Sequence, residues 1–138
     1  MSISSDYIAG SQDARVEANK KTVLAFYEAG INKKDFVAAS RFIGERYVQH
    51  NPLIANGLEG FKAFLGYLRE TFPNLRGEIK RVFADGDYVI LHTHGVRVPG
   101  ERGSAIIDIF RLEDCRIVEH WDVIQPIPET GVNQNGIF

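Results

Sequence analysis

The chain has 138 residues, 44% of them hydrophobic and 25% charged, and a formal net charge of −2. That is the profile of one globular domain with room for a full core; it excludes a strongly basic nucleic-acid-binding surface, and no apolar run approaches the ~20 residues that cross a bilayer. The single cysteine, Cys115, excludes an internal disulfide and a cysteine-built zinc site.

Residues 1–12 are small and polar and are expected to form a loose arm. They lack the basic and apolar regions of a secretory signal, so a cytoplasmic protein is expected. The whole span 1–138 reads as a single domain. From Ala14 the pattern turns helical: Val16, Val23, Tyr27 and Ile31 form one apolar stripe, widened by Leu24 and Phe26, and Gly30 and Asn32 mark its end. A second, shorter helix is expected from Lys34-Asp35, with Phe36, Ala39, Ser40 and Ile43 on its inner side and Gly44 as its breaker.

Pro52 biases Asn51 away from helix, so Tyr47-Val48-Gln49-His50-Asn51-Pro52 reads as a bend or a short extended piece. Asn56-Gly57 is a turn signal. A third helix is expected from Leu58 to Thr71, because Phe61, Phe64, Leu65, Leu68 and Phe72 repeat at the spacing of a helix lying on a core. Pro73 ends it.

Four strands are expected in the remainder. Glu78 to Ala84 is the first, and Asp85-Gly86 signals a hairpin. Asp87 to Val98 is the second. Ala105 to Phe110 and Arg116 to Ile124 are joined by the polar turn Glu113-Asp114-Cys115. The tail, residues 129–138, is irregular and ends in Ile137-Phe138, two apolar residues that could dock on an unspecified surface. Helices followed by hairpin strands predict an α+β fold, with three N-terminal helices on a strongly bent, mostly antiparallel sheet.

Side chains alternate across a strand, so His120 and Asp122 share a face, as do Asp108 and Phe110, and as do His92 and His94. Acids and imidazoles inside apolar strands are costly unless they are hydrogen-bonded or useful. Both strand faces are partly apolar, and parity alone does not say which one faces inward.

Three stretches together carry a family resemblance: Tyr47-Val48-Gln49-His50-Asn51-Pro52, then Ala84-Asp85-Gly86-Asp87, and above all Asp108-Ile109-Phe110-Arg111 followed by Ile117-Val118-Glu119-His120-Trp121-Asp122-Val123. Over roughly Asn19 to Pro128 the chain resembles the nuclear transport factor 2-like superfamily and, within it, the SnoaL-like polyketide cyclase group. The resemblance implies a cone-shaped α+β fold with an internal pocket, and cofactor-independent acid–base chemistry next to a carbonyl: aldol-type cyclisation, isomerisation or dehydration of a small apolar substrate. The alternative within the same fold is a non-catalytic module that binds a small ligand or a protein. Relatives usually carry glycine where this chain has Cys115.

Asp122 is the leading catalytic candidate. The resemblance gives a pocket aspartate the general acid and base role, and burial raises a carboxylate's pKa toward the useful range. The competing reading is that Asp122 caps a loop or pairs with Arg111. His120 and His50 join Asp122 as catalytic candidates, and His92, Asp108, Phe110 and Tyr47 are candidate substrate contacts. Tyr27 and Tyr67 could also offer phenols. The set His50, His92, His94, Asp108, His120 and Asp122 raises a metal reading through the His92-x-His94 pair. That spacing is a weak signal, and neither a metal nor a cofactor is expected. If the even-numbered face of the last strand is inner, then Ile117, Glu119, Trp121 and Val123 point outward with Ile107 and Ile109. An apolar patch of that kind predicts a homodimer, sheet against sheet.

Overall fold

Apolar periodicity decides where the helices press on the sheet. In the computed structural model, which describes residues 9–138 and side chains from residue 13, α1 runs Ala9–Tyr27 and buries Val23, Phe26 and Tyr27. The expected loose arm lies outside the described residues as far as residue 8, whereas residues 9–12 already belong to α1. A π-helical turn, Glu28–Asn32, follows without a break. Lys33 closes it, and Lys34 follows with a positive φ of 55° and an ammonium that donates to the carbonyls of Ile31, Asn32 and Leu75 at 3.2, 3.3 and 2.8 Å.

The short α2, Phe36–Ser40, is capped by Asp35, whose carboxylate accepts from the Ala38 N–H at 3.0 Å. α3, Gly57–Thr71, buries Phe61, Leu65 and Leu68, as its stripe predicts. Phe61 is the hub of the helical layer, with ring centroids 5.2 Å from Phe26, 5.9 Å from Phe36 and 6.4 Å from Tyr47.

Among the described residues the sheet has five strands rather than the four expected: β1 Ile43–Gln49, β2 Arg76–Asp85, β3 Tyr88–Val96, β4 Ser104–Glu113 and β5 Arg116–Pro126. Their order is β1-β5-β4-β3-β2, antiparallel except for β1, which lies parallel to β5. β1 includes the start of the segment that reads as a bend or a short extended piece, and it takes in Ile43, expected on the inner side of the second helix, which ends already at Ser40. Gly44 lies within β1 and does not act as a helix breaker; a Cβ there would meet Val118 Cγ1 at 2.9 Å, so glycine is what lets this edge approach β5. β4 and β5 are joined by a two-residue turn in which Asp114 and Cys115 have φ of 50° and 60°. Both central residues are left-handed, the requirement of the tight hairpin turn, here met without glycine.

Register sets the faces. Leu91 lies opposite Asp108, which lies opposite Asp122; Val89 lies opposite Phe110, which lies opposite His120. These residues face the helices with Thr93. The next residues along, His92, Ile107, Ile109, Trp121 and Val123, face away. A bulge between Arg111 and Leu112 shifts the β5 register. Ile117, expected on the outer face, is therefore wholly buried opposite Leu112.

Candidate functional site

Three strand residues converge on the helix-facing side of the sheet. His120 Nε2 lies 2.9 Å from Asp108 Oδ1 and 4.0 Å from Asp122 Oδ2. The side chains are only 8%, 10% and 13% exposed for His120, Asp108 and Asp122, so Asp122 is the most open of the three. Phe110 packs its ring against the imidazole, centroids 4.9 Å apart.

β1 completes the cluster. Tyr47 and Gln49 alternate along β1 and so point the same way, and Asn51, just past the strand end, reaches the same side. Gln49 Oε1 lies 2.7 Å from His120 Nδ1, and the Gln49 amide donates to the Tyr47 hydroxyl at 3.3 Å. Asn51 Nδ2 donates to Asp122 Oδ2 at 2.9 Å. The sequence reading named neither Gln49 nor Asn51 as a site residue. The signal that could have found Gln49 is its alternation with Tyr47, which shows once the segment is read as a strand.

Burial governs the charges. It pushes the Asp108 carboxyl above its ordinary range; the hydrogen bond and charge of His120 oppose that rise and the nearby Asp122 adds to it. Burial also pushes the Tyr47 phenol up, with the charges of Asp108 and Asp122 adding, and the Tyr27 phenol up, with Asp108 adding. Both phenols are therefore neutral donors across the physiological range. Among the described residues no buried side-chain nitrogen or oxygen lacks a hydrogen-bond partner.

The other candidates lie elsewhere. His50 is on the outer face. Its ring stacks on Trp121 with centroids 4.8 Å apart and planes 2° from parallel, and its Nε2 lies 2.7 Å from Glu119 Oε2. His92 is also outer, because its cross-strand partner is Ile107 and not Asp108. Its Nδ1 meets Arg81, and Phe138 covers both His92 and His94 at 5.3 and 4.9 Å, which is where the tail docks. His94 Nε2 is bonded to the Arg102 carbonyl at 2.7 Å. Arg111 pairs with Glu119 and Glu113, at 2.8 and 2.7 Å, rather than with Asp122. Tyr67 is half exposed and packs on Phe72.

Two hollows among the described residues lie away from the cluster. One of about 450 Å³ lies within the tail, beside Ile127, Asn133 and Ile137. Another of about 290 Å³ lies beside Arg15, Asn19 and Cys115. The sequence led us to expect Asp122 together with His50 and at least one of His92, Asp108 and His120; the structure brings Asp108 and His120 to Asp122, bonds Asp122 to Asn51 and leaves His50 across the sheet. Asp108, His120 and Asp122 hold the one set of ligand-type atoms among the described residues that lies close enough for a metal ion, within 4.8 Å of one another. The His92-x-His94 pair takes no part in it.

A family model described as SnoaL-like polyketide cyclase matches residues 21–128. No curated protein matches the chain. Among solved structures, a candidate polyketide cyclase from Bacillus cereus is 21% identical with a TM-score of 0.68, over 78% of this chain and 74% of that one. Another candidate polyketide cyclase, from Acidithiobacillus ferrooxidans, is 20% identical with a TM-score of 0.65, over 90% and 91%. AclR, a candidate hydroxylase from Streptomyces galilaeus, is 20% identical with a TM-score of 0.64, over 80% of each chain. At these identities the likeness shows the shared fold. No helix among the described residues is long and apolar enough to cross a membrane.

Proposed function

The chain belongs to the SnoaL-like polyketide cyclase family, and we propose that it is a cofactor-independent enzyme moving protons next to a carbonyl of a small apolar substrate. The observation that carries this reading is the hydrogen-bonded line Gln49–His120–Asp108 with the more open Asp122 beside it, inside an otherwise apolar strand face. A core without chemical work has little use for two carboxylates and an imidazole at this depth.

Asp122 is the base. Its carboxylate takes a proton from the carbon next to the carbonyl; the C–H electron pair moves into the enolate, and the enolate oxygen receives a proton from the Asp108–His120 pair. The enol carbon then attacks an electrophilic carbonyl, whose oxygen takes the proton held by Asp122, or takes that proton itself, while the enol O–H proton returns to the Asp108–His120 pair, giving cyclisation or isomerisation. Tyr47, held neutral by burial, offers a further donor to the oxygen. Phe110 and Tyr47 supply the apolar contacts.

One observation favours a second reading, a non-catalytic module: every buried polar side-chain atom in the cluster is already partnered. Deuterium exchange separates the two. An apolar bicyclic ketone such as β-tetralone, incubated in D2O, should exchange its α-hydrogens faster with the protein than with Asp122→Asn. Equal rates for the two proteins would overturn the enzymatic reading.

We further propose that two copies pack through the outer sheet face, where Ile107, Ile109 and Trp121 are partly exposed and Val123 is 68% exposed.

A further inference from the structure

The Gln49 amide has only one orientation open to it, and that orientation dictates where His120 carries its protons. The Asn51 backbone N–H lies 3.0 Å from Gln49 Oε1. A backbone N–H can only donate, so this atom of the amide must be the oxygen. The other end agrees, since the Gln49 NH2 donates to the Tyr47 hydroxyl at 3.3 Å. The same Oε1 lies 2.7 Å from His120 Nδ1. An amide oxygen cannot donate, so Nδ1 must carry a hydrogen.

That leaves the second ring nitrogen. Nε2 lies 2.9 Å from Asp108 Oδ1, and one proton must lie between them, on the imidazole or on the carboxyl. Without Gln49 a neutral imidazole would put its single hydrogen on Nε2, donate it to the Asp108 carboxylate and leave Nδ1 bare. The pair would then hold one proton fewer. We propose that Gln49 is a positioning residue: held by the Asn51 N–H, it fixes the Nδ1–H form of His120 and so loads the His120–Asp108 pair with the proton that is transferred. This deepens the acid–base reading above and rests on it for its catalytic meaning, although the protonation state can be read without any substrate.

A strand edge delivers this control. Gln49 ends β1 and lies opposite His120 in the parallel ladder, and the His50 N–H donates to the His120 carbonyl at 3.0 Å. Amide and imidazole are thus tied at both backbone and side chain, so the orientation costs little additional ordering.

The experiment is 15N NMR of imidazole-labelled protein at neutral pH, with the His120 signals assigned by their loss in His120→Gln. In the wild type, Nδ1 should resonate as a protonated nitrogen. In Gln49→Glu, whose carboxylate also accepts from both donors, it should remain protonated. In Gln49→Leu it should resonate as an unprotonated nitrogen, with amide-proton dispersion reporting that the variant is folded. An unprotonated Nδ1 in the wild type overturns the proposal, whether or not Gln49→Leu folds, and so does a protonated Nδ1 in folded Gln49→Leu. Ketone exchange is read in parallel: Gln49→Leu should lower kcat by ~10²-fold or more with little change in KM, and Gln49→Glu should restore part of it. Wild-type spectra as expected with no exchange in any protein would leave the protonation control standing and remove the enzymatic reading.

Discussion

Asp108 and Asp122 are direct cross-strand partners on β4 and β5, two carboxylates facing one another on the buried side of the sheet. Like charges in that relation oppose folding by about 0.2–1 kcal/mol. Here Asn51 and His120 offset the opposition, with Asn51 donating to Asp122 and His120 sitting against Asp108. The cost falls on the residues that the proposed chemistry uses, a trade between stability and activity.

Removing one charge should therefore separate the two properties. Asp122→Asn keeps the shape and an oxygen that can accept from Asn51. Its urea midpoint should equal or exceed that of the wild type, by up to about 1 kcal/mol in stability, while ketone exchange falls by about 10²–10⁴-fold. A variant that loses stability and activity together would mark Asp122 as structural.

Gly77 tests the packing beside the cluster. A Cβ there would meet the Tyr27 hydroxyl at 1.9 Å, and Tyr27 is buried. Gly77 cannot retreat, because the Asn32 amide holds its N–H at 2.8 Å and its carbonyl at 3.1 Å. Gly77→Ala should cost about 1–3 kcal/mol by overpacking, read as a lower urea midpoint at unchanged slope. An unchanged midpoint would show that the Tyr27 ring has a second place to go.

Glu119 offers a pH test on the other face. The hydrogen bond from His50, and then that from Arg111, hold its carboxyl below the usual range. A depressed folded-state pKa contributes stability that is present above the unfolded value of about 4.3 and is lost as pH falls through the folded value. Glu119→Gln should therefore be less stable than the wild type by about 1 kcal/mol at pH 7, in line with a partly exposed ion pair. The difference should shrink toward zero below about pH 4. Urea midpoints at several pH values decide this, and a difference that does not change with pH would exclude an electrostatic origin.

Val123 tests assembly. It is among the most exposed apolar side chains of the outer face, so a charge there should not disturb the fold. Light scattering at micromolar concentration should give a dimer mass for the wild type and a monomer mass for Val123→Glu. A monomeric wild type would end the dimer proposal.

Local pattern made the element types legible. The stripe Phe61, Leu65, Leu68 fixed both the helix and its buried face, because helical spacing is a property of the segment itself. Alternation placed His120 and Asp122 together for the same reason, and the left-handed turn at Asp114-Cys115 was marked by its polar residues. What parity within one strand could not carry was the offset between strands. His92 and Asp108 both sit in apolar strands at even-numbered positions, yet Leu91, not His92, lies opposite Asp108, so the two fall on opposite faces. The bulge at Arg111–Leu112 turned Ile117 inward by the same kind of offset. β1 was least legible, since its partner β5 follows almost seventy residues later, and only that pairing makes the segment a strand. With it came Gln49 and Asn51, brought against His120 and Asp122 by contacts between parts of the chain far apart in sequence. The sequence determined which residues could do the chemistry; the register of five strands decided which of them meet.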